Sequence, residues 1–255
     1  MKKLLLLLIF ITELNAGWSQ VIVTTATDTS GNVDIRTKIE AESLYLKIDS
    51  NDVATYINRS ILEYQIQDYK NCILDNNKIL SLTPNSADAY SNRGMCYCFM
   101  KEYKNAISDL TMAMKLSPND AMSYLNLAYA QNDSGNYVES IIQLNKAIAL
   151  NPGYAKAYVN RGVSKANLTQ YKEAIADYDK ALKLVPDYAE AYLNRGLSKS
   201  LLNDYAGAIA DYTKALTIQP AFGGYDFYTL RAKAFEKNGD TANAKLDYER
   251  AKKLN

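Results

Sequence analysis

The groups in this chain that could do chemistry are few: three cysteines, Cys72, Cys96 and Cys98, scattered carboxylates, and no histidine at all. Without histidine the chain lacks the commonest general base near neutral pH and the commonest transition-metal ligand. Neither a histidine-dependent hydrolase triad nor a histidine-ligated zinc site can be built from it. Cys96 and Cys98 lie two apart, so on a helix their side chains diverge by about half a turn and do not readily bridge or share a metal. Two readings of the cysteines stand: small buried apolar residues, or a free thiol or intermolecular disulfide through Cys98, whose register points towards a groove. Asp109, Asp177, Asp211 and Asp247 recur in one register beside Leu110, Tyr178, Tyr212 and Tyr248. Spaced tens of residues apart along stacked repeats, they form no converging acid–base pair, and a solvated face is expected of them. No glycine-rich phosphate loop, Gly-x-Ser-x-Gly elbow or cluster with metal-ligand spacing occurs. The chain is therefore expected to be non-catalytic, with no cofactor and no metal.

Its bulk composition fits that expectation. The 255 residues are 48% hydrophobic and 22% charged, an ordinary foldable mixture, with Lys+Arg 29 against Asp+Glu 28. A net charge of +1 gives no basic footprint for a phosphate backbone, so no nucleic-acid partner is expected. Met1-Lys2-Lys3 followed by an apolar run from Leu4 to Ile11, then Glu13 and small residues through Ala16, Gly17 and Ser19, has the pattern of a secretory signal peptide over 1–19. Cleavage after Ala16 and cleavage after Ser19 both fit. The run is far short of the ~20 residues that span a bilayer, so no membrane insertion is expected. The first cysteine is Cys72, leaving none near the cleavage region to accept a lipid. The expectation is an exported protein, periplasmic or extracellular, whose mature chain is neutral once Lys2, Lys3 and Glu13 are removed.

The elements that must position any site are set by a period. Pro84, Pro118, Pro152, Pro186 and Pro220 are all the prolines, each 34 residues from the next. Tyr56, Tyr90, Tyr124, Tyr158 and Tyr192 keep the same spacing, continued by Tyr228 after a two-residue slip at Gly223-Gly224, as do Tyr69, Tyr103, Tyr137, Tyr171 and Tyr205. A fixed period of this length means stacked repeats that bury their apolar faces against neighbours. Six are read, at 53–86, 87–120, 121–154, 155–188, 189–222 and 225–255. Within 87–120, Tyr90, Gly94 and Tyr97 form one helical stripe, and Tyr103, Ala106, Ile107, Leu110, Ala113, Met114 and Leu116 a second. Pro118 ends the second helix, and Asn119-Asp120 can cap the next. Glycine in the register of Gly94, Gly162 and Gly196, and alanine in that of Ala106, Ala174 and Ala208, allow close helix approach. Residues 33–49 read as a helix packed on the first repeat, within a segment 20–52 whose Thr-rich start, 20–32, is a flexible lead-in.

The strings Ala157-Tyr158-Val159-Asn160-Arg161-Gly162 and Tyr171 to Pro186 resemble the tetratricopeptide repeat, and the resemblance covers about residues 53–255. It implies an all-α fold, a right-handed superhelical solenoid of antiparallel helix pairs, with the first helix of each repeat lining a concave groove that holds a peptide. Carried onto this sequence, that register gives a row of amides, Asn58, Asn92, Asn126, Asn160 and Asn194, similar to the asparagine ladder of O-linked N-acetylglucosamine transferases. Such amides can hydrogen-bond a peptide backbone whatever its side chains, or a neighbouring helix. Apolar neighbours Ile61, Tyr64, Met95, Phe99, Tyr129 and Leu197 complete the candidate peptide-binding set, and Ile57, Cys98, Leu125, Val159, Val163, Leu193 and Leu201 fall in nearby groove registers. Ile57, Ser91, Leu125, Val159 and Leu193 stand where a carboxylate-clamping subtype carries lysine, which favours an apolar or neutral polypeptide as partner. Sequons at Asn58, Asn132 and Asn167 are all expected on the groove side. The competing reading is a self-associating structural module, a homo-oligomer joined through its end repeats or Cys98 with the groove unoccupied.

Overall fold

In a computed structural model of the protein, residues 34–219 and 225–253 are described. The expected signal peptide and the lead-in 20–32 fall outside them. The described residues contain thirteen helices and no strand. They fall into two compact units, one running to Asp68 and one from Tyr69 onwards.

The first unit carries α1 (Ile35–Tyr45) and α2 (Val53–Gln65). Asp52 caps α2, its carboxylate accepting from the Thr55 backbone N–H at 3.2 Å. Arg59 Nη1 donates to Ser43 Oγ across the two helices at 3.0 Å.

The second unit is a linear stack: α3 (Tyr69–Leu82), α4 (Ala87–Phe99), α5 (Tyr103–Leu116), α6 (Ala121–Asp133), α7 (Tyr137–Leu150), α8 (Ala155–Asn167), α9 (Tyr171–Leu184), α10 (Ala189–Leu201), α11 (Tyr205–Ile218), α12 (Tyr225–Lys237) and α13 (Thr241–Lys253). Each helix packs on the next in sequence, and α4, α6, α8 and α10 pack on one another as well. The even-numbered helices are thus the first helices of successive repeats. Two of their starts are capped by side chains: Asp120, as the sequence predicts, accepts from the Ser123 N–H at 2.8 Å, and Ser86 accepts from the Ala89 N–H at 3.2 Å. Burial works against the Asp120 charge, but the Ser123 hydroxyl and the N–H groups of Ser123 and Met122 outweigh it and hold the carboxyl below its usual range. The second helices stop before the prolines; Ser117, preceding Pro118, has left the helical region at φ −127° and ψ 68°.

Inside each repeat the turn between helices needs one left-handed residue. Gly135 and Gly239 supply it at φ +83° and +86°, but Lys101, Thr169 and Asn203 take the same place at φ +61° to +65°. At Thr169 a β-branched side chain sits where glycine is favoured. The turn holds because Thr169 N–H bonds Ala166 O and Gln170 N–H bonds Lys165 O, both at 2.9 Å.

Packing within a repeat depends on the glycine register. A Cβ on Gly162 would stand 2.5 Å from Tyr178 Cε1, and one on Gly196 2.9 Å from Tyr212 Cε1. Where the opposite residue is the smaller Leu144, the same register holds Ala128, and both are fully buried. Ala106, Ala174 and Ala208 are fully buried as well, as close helix approach requires.

Candidate functional site

The first helices of the second unit each present a stripe at spacings of three and four: Asn92, Met95 and Phe99 on α4; Asn126, Tyr129 and Asp133 on α6; Asn160, Val163 and Asn167 on α8; Asn194, Leu197 and Leu201 on α10. These helices pack side by side, so the stripes lie next to one another. Three apolar side chains stay out in solvent: Phe99 at 42%, Leu197 at 39% and Leu201 at 52% of full exposure. Phe99 stacks on Tyr69 with ring centres 5.1 Å apart and tilts against Tyr129 at 6.4 Å, an aromatic row with one open edge.

The amide row divides. Asn126 Nδ2 donates to Ser91 Oγ of the preceding repeat at 3.1 Å, and Asn160 Nδ2 to Lys156 O on its own helix at 2.9 Å. Asn92 and Asn194 are half-buried, and their side-chain amides make no hydrogen bond among the described residues. In the first unit Asn58 is exposed and bonds Glu42, whose carboxyl burial nevertheless pushes up; Ile61 is exposed and Tyr64 half-buried.

Several groove expectations fail: Leu125, Val159, Leu193 and Cys98, each one residue before a stripe position, turn between repeats, and the stripe residues Met95, Tyr129 and Val163 are themselves partly covered. Leu125 and Val159 are buried in the cores around Leu144 and Tyr178, and Val163 and Leu193 are partly buried against neighbouring cores. Met95 and Tyr129 are partly buried against Ala106, Leu110 and Leu127. Cys98 is only 2% exposed in that same core, so it faces no groove and offers no thiol for a bond between molecules. Burial, and then the Asp133 charge, push that thiol up to about 12, which keeps it protonated at neutral pH. The sequon residue Asn132 is also turned inward, bonding Ser164 Oγ at 2.7 Å and Asn160 O at 3.3 Å; Asn167 remains exposed.

The aspartate register is not a solvated face. Asp109, Asp177, Asp211 and Asp247 are buried, and each accepts a two-pronged contact from an arginine sixteen residues earlier: Arg93, Arg161, Arg195 and Arg231, at 2.5 to 2.9 Å. The free Nη1 of each arginine reaches the second helix of the preceding repeat, at Asn77, Asn145, Asp179 and Thr213 respectively. Each guanidinium also covers the ring of the tyrosine three residues before it, at 5.2 to 5.8 Å. The Asp109 carboxylate raises Arg93 above its already high range. The carboxylates thus hold the two helices of a repeat together and orient the arginine whose Nη1 clips that repeat to the one before. In the third repeat Leu127 and Gln143 take the two places, and the clip is absent.

A family model described as tetratricopeptide repeat matches residues 87–120 and 189–222, a second of the same description matches 121–154 and 225–255, and one described as TPR repeat matches 169–199. The chain belongs to the tetratricopeptide repeat family. Among curated proteins, none matches its sequence. Among solved structures it is similar to MamA, at 25% identity and TM-score 0.56 over 63% of this chain and 93% of that one. It is similar in fold to PilW, a type IV pilus biogenesis factor, at 21% identity and TM-score 0.72 over 80% and 93%. It is similar in fold also to YrrB, a TPR protein with an unusual peptide-binding site, at 22% identity and TM-score 0.54 over 71% and 94%. As a tetratricopeptide repeat protein this chain is an interaction module of the scaffold type, and protein or peptide is its class of partner. Among its described residues no group of His, Cys, Asp or Glu could hold a metal ion, and no helix is long and apolar enough to cross a membrane.

Proposed function

We propose that this protein is an exported, non-catalytic scaffold that binds an apolar or neutral polypeptide segment along the stripes of α4, α6, α8 and α10. One observation carries the reading: the solvent-exposed Phe99, Leu197 and Leu201 share their helix faces with Asn92 and Asn194, whose side-chain amides make no hydrogen bond among the described residues. Apolar side chains give area to bury, and free amides give donors and acceptors for a peptide backbone. The stripes carry one exposed carboxylate, Asp133 on α6, and otherwise no charged side chain, which suits a largely neutral ligand. Export rests on the N-terminal pattern Lys2-Lys3 and Leu4 to Ile11.

The test is selection from a displayed random-peptide library, followed by titration of the selected peptides. Apolar, uncharged sequences are expected, and the combined change Asn92→Ala, Phe99→Ala, Asn194→Ala and Leu197→Ala should weaken them at least tenfold, since each position removes about 0.5–2 kcal/mol. Undiminished binding by that variant, with its helical signal intact, overturns the assignment.

A further inference from the structure

We propose that Cys72 and Cys96 form an intramolecular disulfide that staples α3 to α4. The two side chains are 1% and 0% exposed, and their sulfurs face each other at 2.6 Å across the boundary between these helices. The register explains why they meet. Positions 24 residues apart in the same places along the stack are Ala106 and Ala130, Ser140 and Ser164, Ala174 and Ser198, and Ala208 and Ala232, all small and all buried. Ser140 Oγ and Ser164 Oγ lie 3.2 Å apart. Helices of adjacent repeats pass close together here, near enough for the short Cβ separation that a disulfide needs. Only at this boundary are both positions cysteine. Asn76 Nδ2 donates to Cys72 Sγ at 3.6 Å, a contact that a disulfide sulfur, able to accept but not to donate, retains. Cys98 lies in a different core, with Leu110 and Leu127, and is left as the odd thiol.

The bond forms by thiol–disulfide exchange with a low-molecular-weight or protein disulfide. One cysteine thiolate attacks the oxidant's S–S bond and expels one thiol, giving a mixed disulfide. The second cysteine thiolate then attacks its own partner's sulfur and expels the second thiol. Two electrons and two protons leave with the two thiols of the reduced oxidant. Both sulfurs are closed to solvent in the finished fold, so exchange takes place while the chain folds, before α4 closes on α3. An exported protein would meet such an oxidant.

The experiment refolds the full chain in a glutathione redox buffer, denatures it without reductant, alkylates it with iodoacetamide and weighs it. One alkylated thiol is expected, rising to three after reduction, and the Cys98→Ala variant should carry none before reduction. Three alkylated thiols before reduction, or loss of the link in Cys98→Ala, overturns the proposal. The Cys72→Ser/Cys96→Ser protein, which copies the Ser140 and Ser164 pair, should fold and melt with the reduced wild type. Oxidised wild type should melt on the order of 5–10 °C higher, from closure of a ring of this length. A reductant that shifts the wild type no more than the double serine variant counts equally against the link.

Discussion

Asp211 shows how much a single side chain decides in this stack. It receives two bonds from Arg195, at 2.9 and 2.6 Å, and Lys199 Nζ lies 2.8 Å from it, in a place where its own side chain is 5% exposed. Asp211→Ala would leave two partly buried cations facing each other, and should cost about 2–4 kcal/mol in urea unfolding. The pair Lys214 and Asp187, 3.5 Å apart but 46% and 78% exposed, should by the same measurement be worth less than about 0.5 kcal/mol. These aspartates were misread from sequence because a lone carboxylate on an amphipathic helix ordinarily faces water. The signal was nonetheless there: Arg93, Arg161, Arg195 and Arg231 keep step with Asp109, Asp177, Asp211 and Asp247, and Leu127 and Gln143 break step together. For the amides the sequence could go no further than the register. Whether Asn126 turns inward depends on Ser91 one repeat away, and Asn92 has no such neighbour.

At the scale of the helix pair, the fit between first and second helix follows volume in three repeats, although Gly94 faces a leucine, Leu110, at 2.7 Å from an added Cβ. Gly162 faces Tyr178 and Gly196 faces Tyr212, whereas Ala128 faces Leu144. Gly162→Ala should therefore destabilise by about 1–3 kcal/mol, because the ring of Tyr178 is fully buried and has nowhere to move. Adding Tyr178→Leu to it reproduces the Ala128 and Leu144 pairing and should recover most of that loss. A double-mutant cycle by denaturant unfolding reads the coupling, and strictly additive losses would show the matching to be incidental. The helix pairs themselves were legible because proline and tyrosine recur at the same points of successive 34-residue units. The boundary between a groove position and a core position was not, since Leu125 and Leu197 differ only by a small rotation about helices of the same type, and the neighbouring repeat decides which is covered.

For the molecule as a whole, the tyrosine excess sets behaviour in alkali. Burial, ahead of nearby carboxylates, pushes Tyr188 and Tyr212 up to about 12, and pushes Tyr178 higher still. An acid whose folded pKa is raised adds stability that is fully present below its unfolded value of about 10 and is lost as pH rises through the folded value. Melting temperature should hardly change up to pH 10 on account of these groups and should fall steeply between pH 10 and 12. Tyrosinate absorbance should show a late fraction that ionises together with loss of helix; smooth ionisation near pH 10 of every tyrosine with the helices intact would contradict it. The missing arginine clip of the third repeat acts at this scale too. With Leu127 and Gln143 in place of a charged pair, the joint between the second and third repeats lacks the arginine clip and relies on apolar packing and the Asn126–Ser91 hydrogen bond, contacts that can slide where a two-pronged ion pair cannot. Under load the stack would bend there first, so a ligand lying across α4 and α6 would act as a splint, stiffening the joint that its own binding spans.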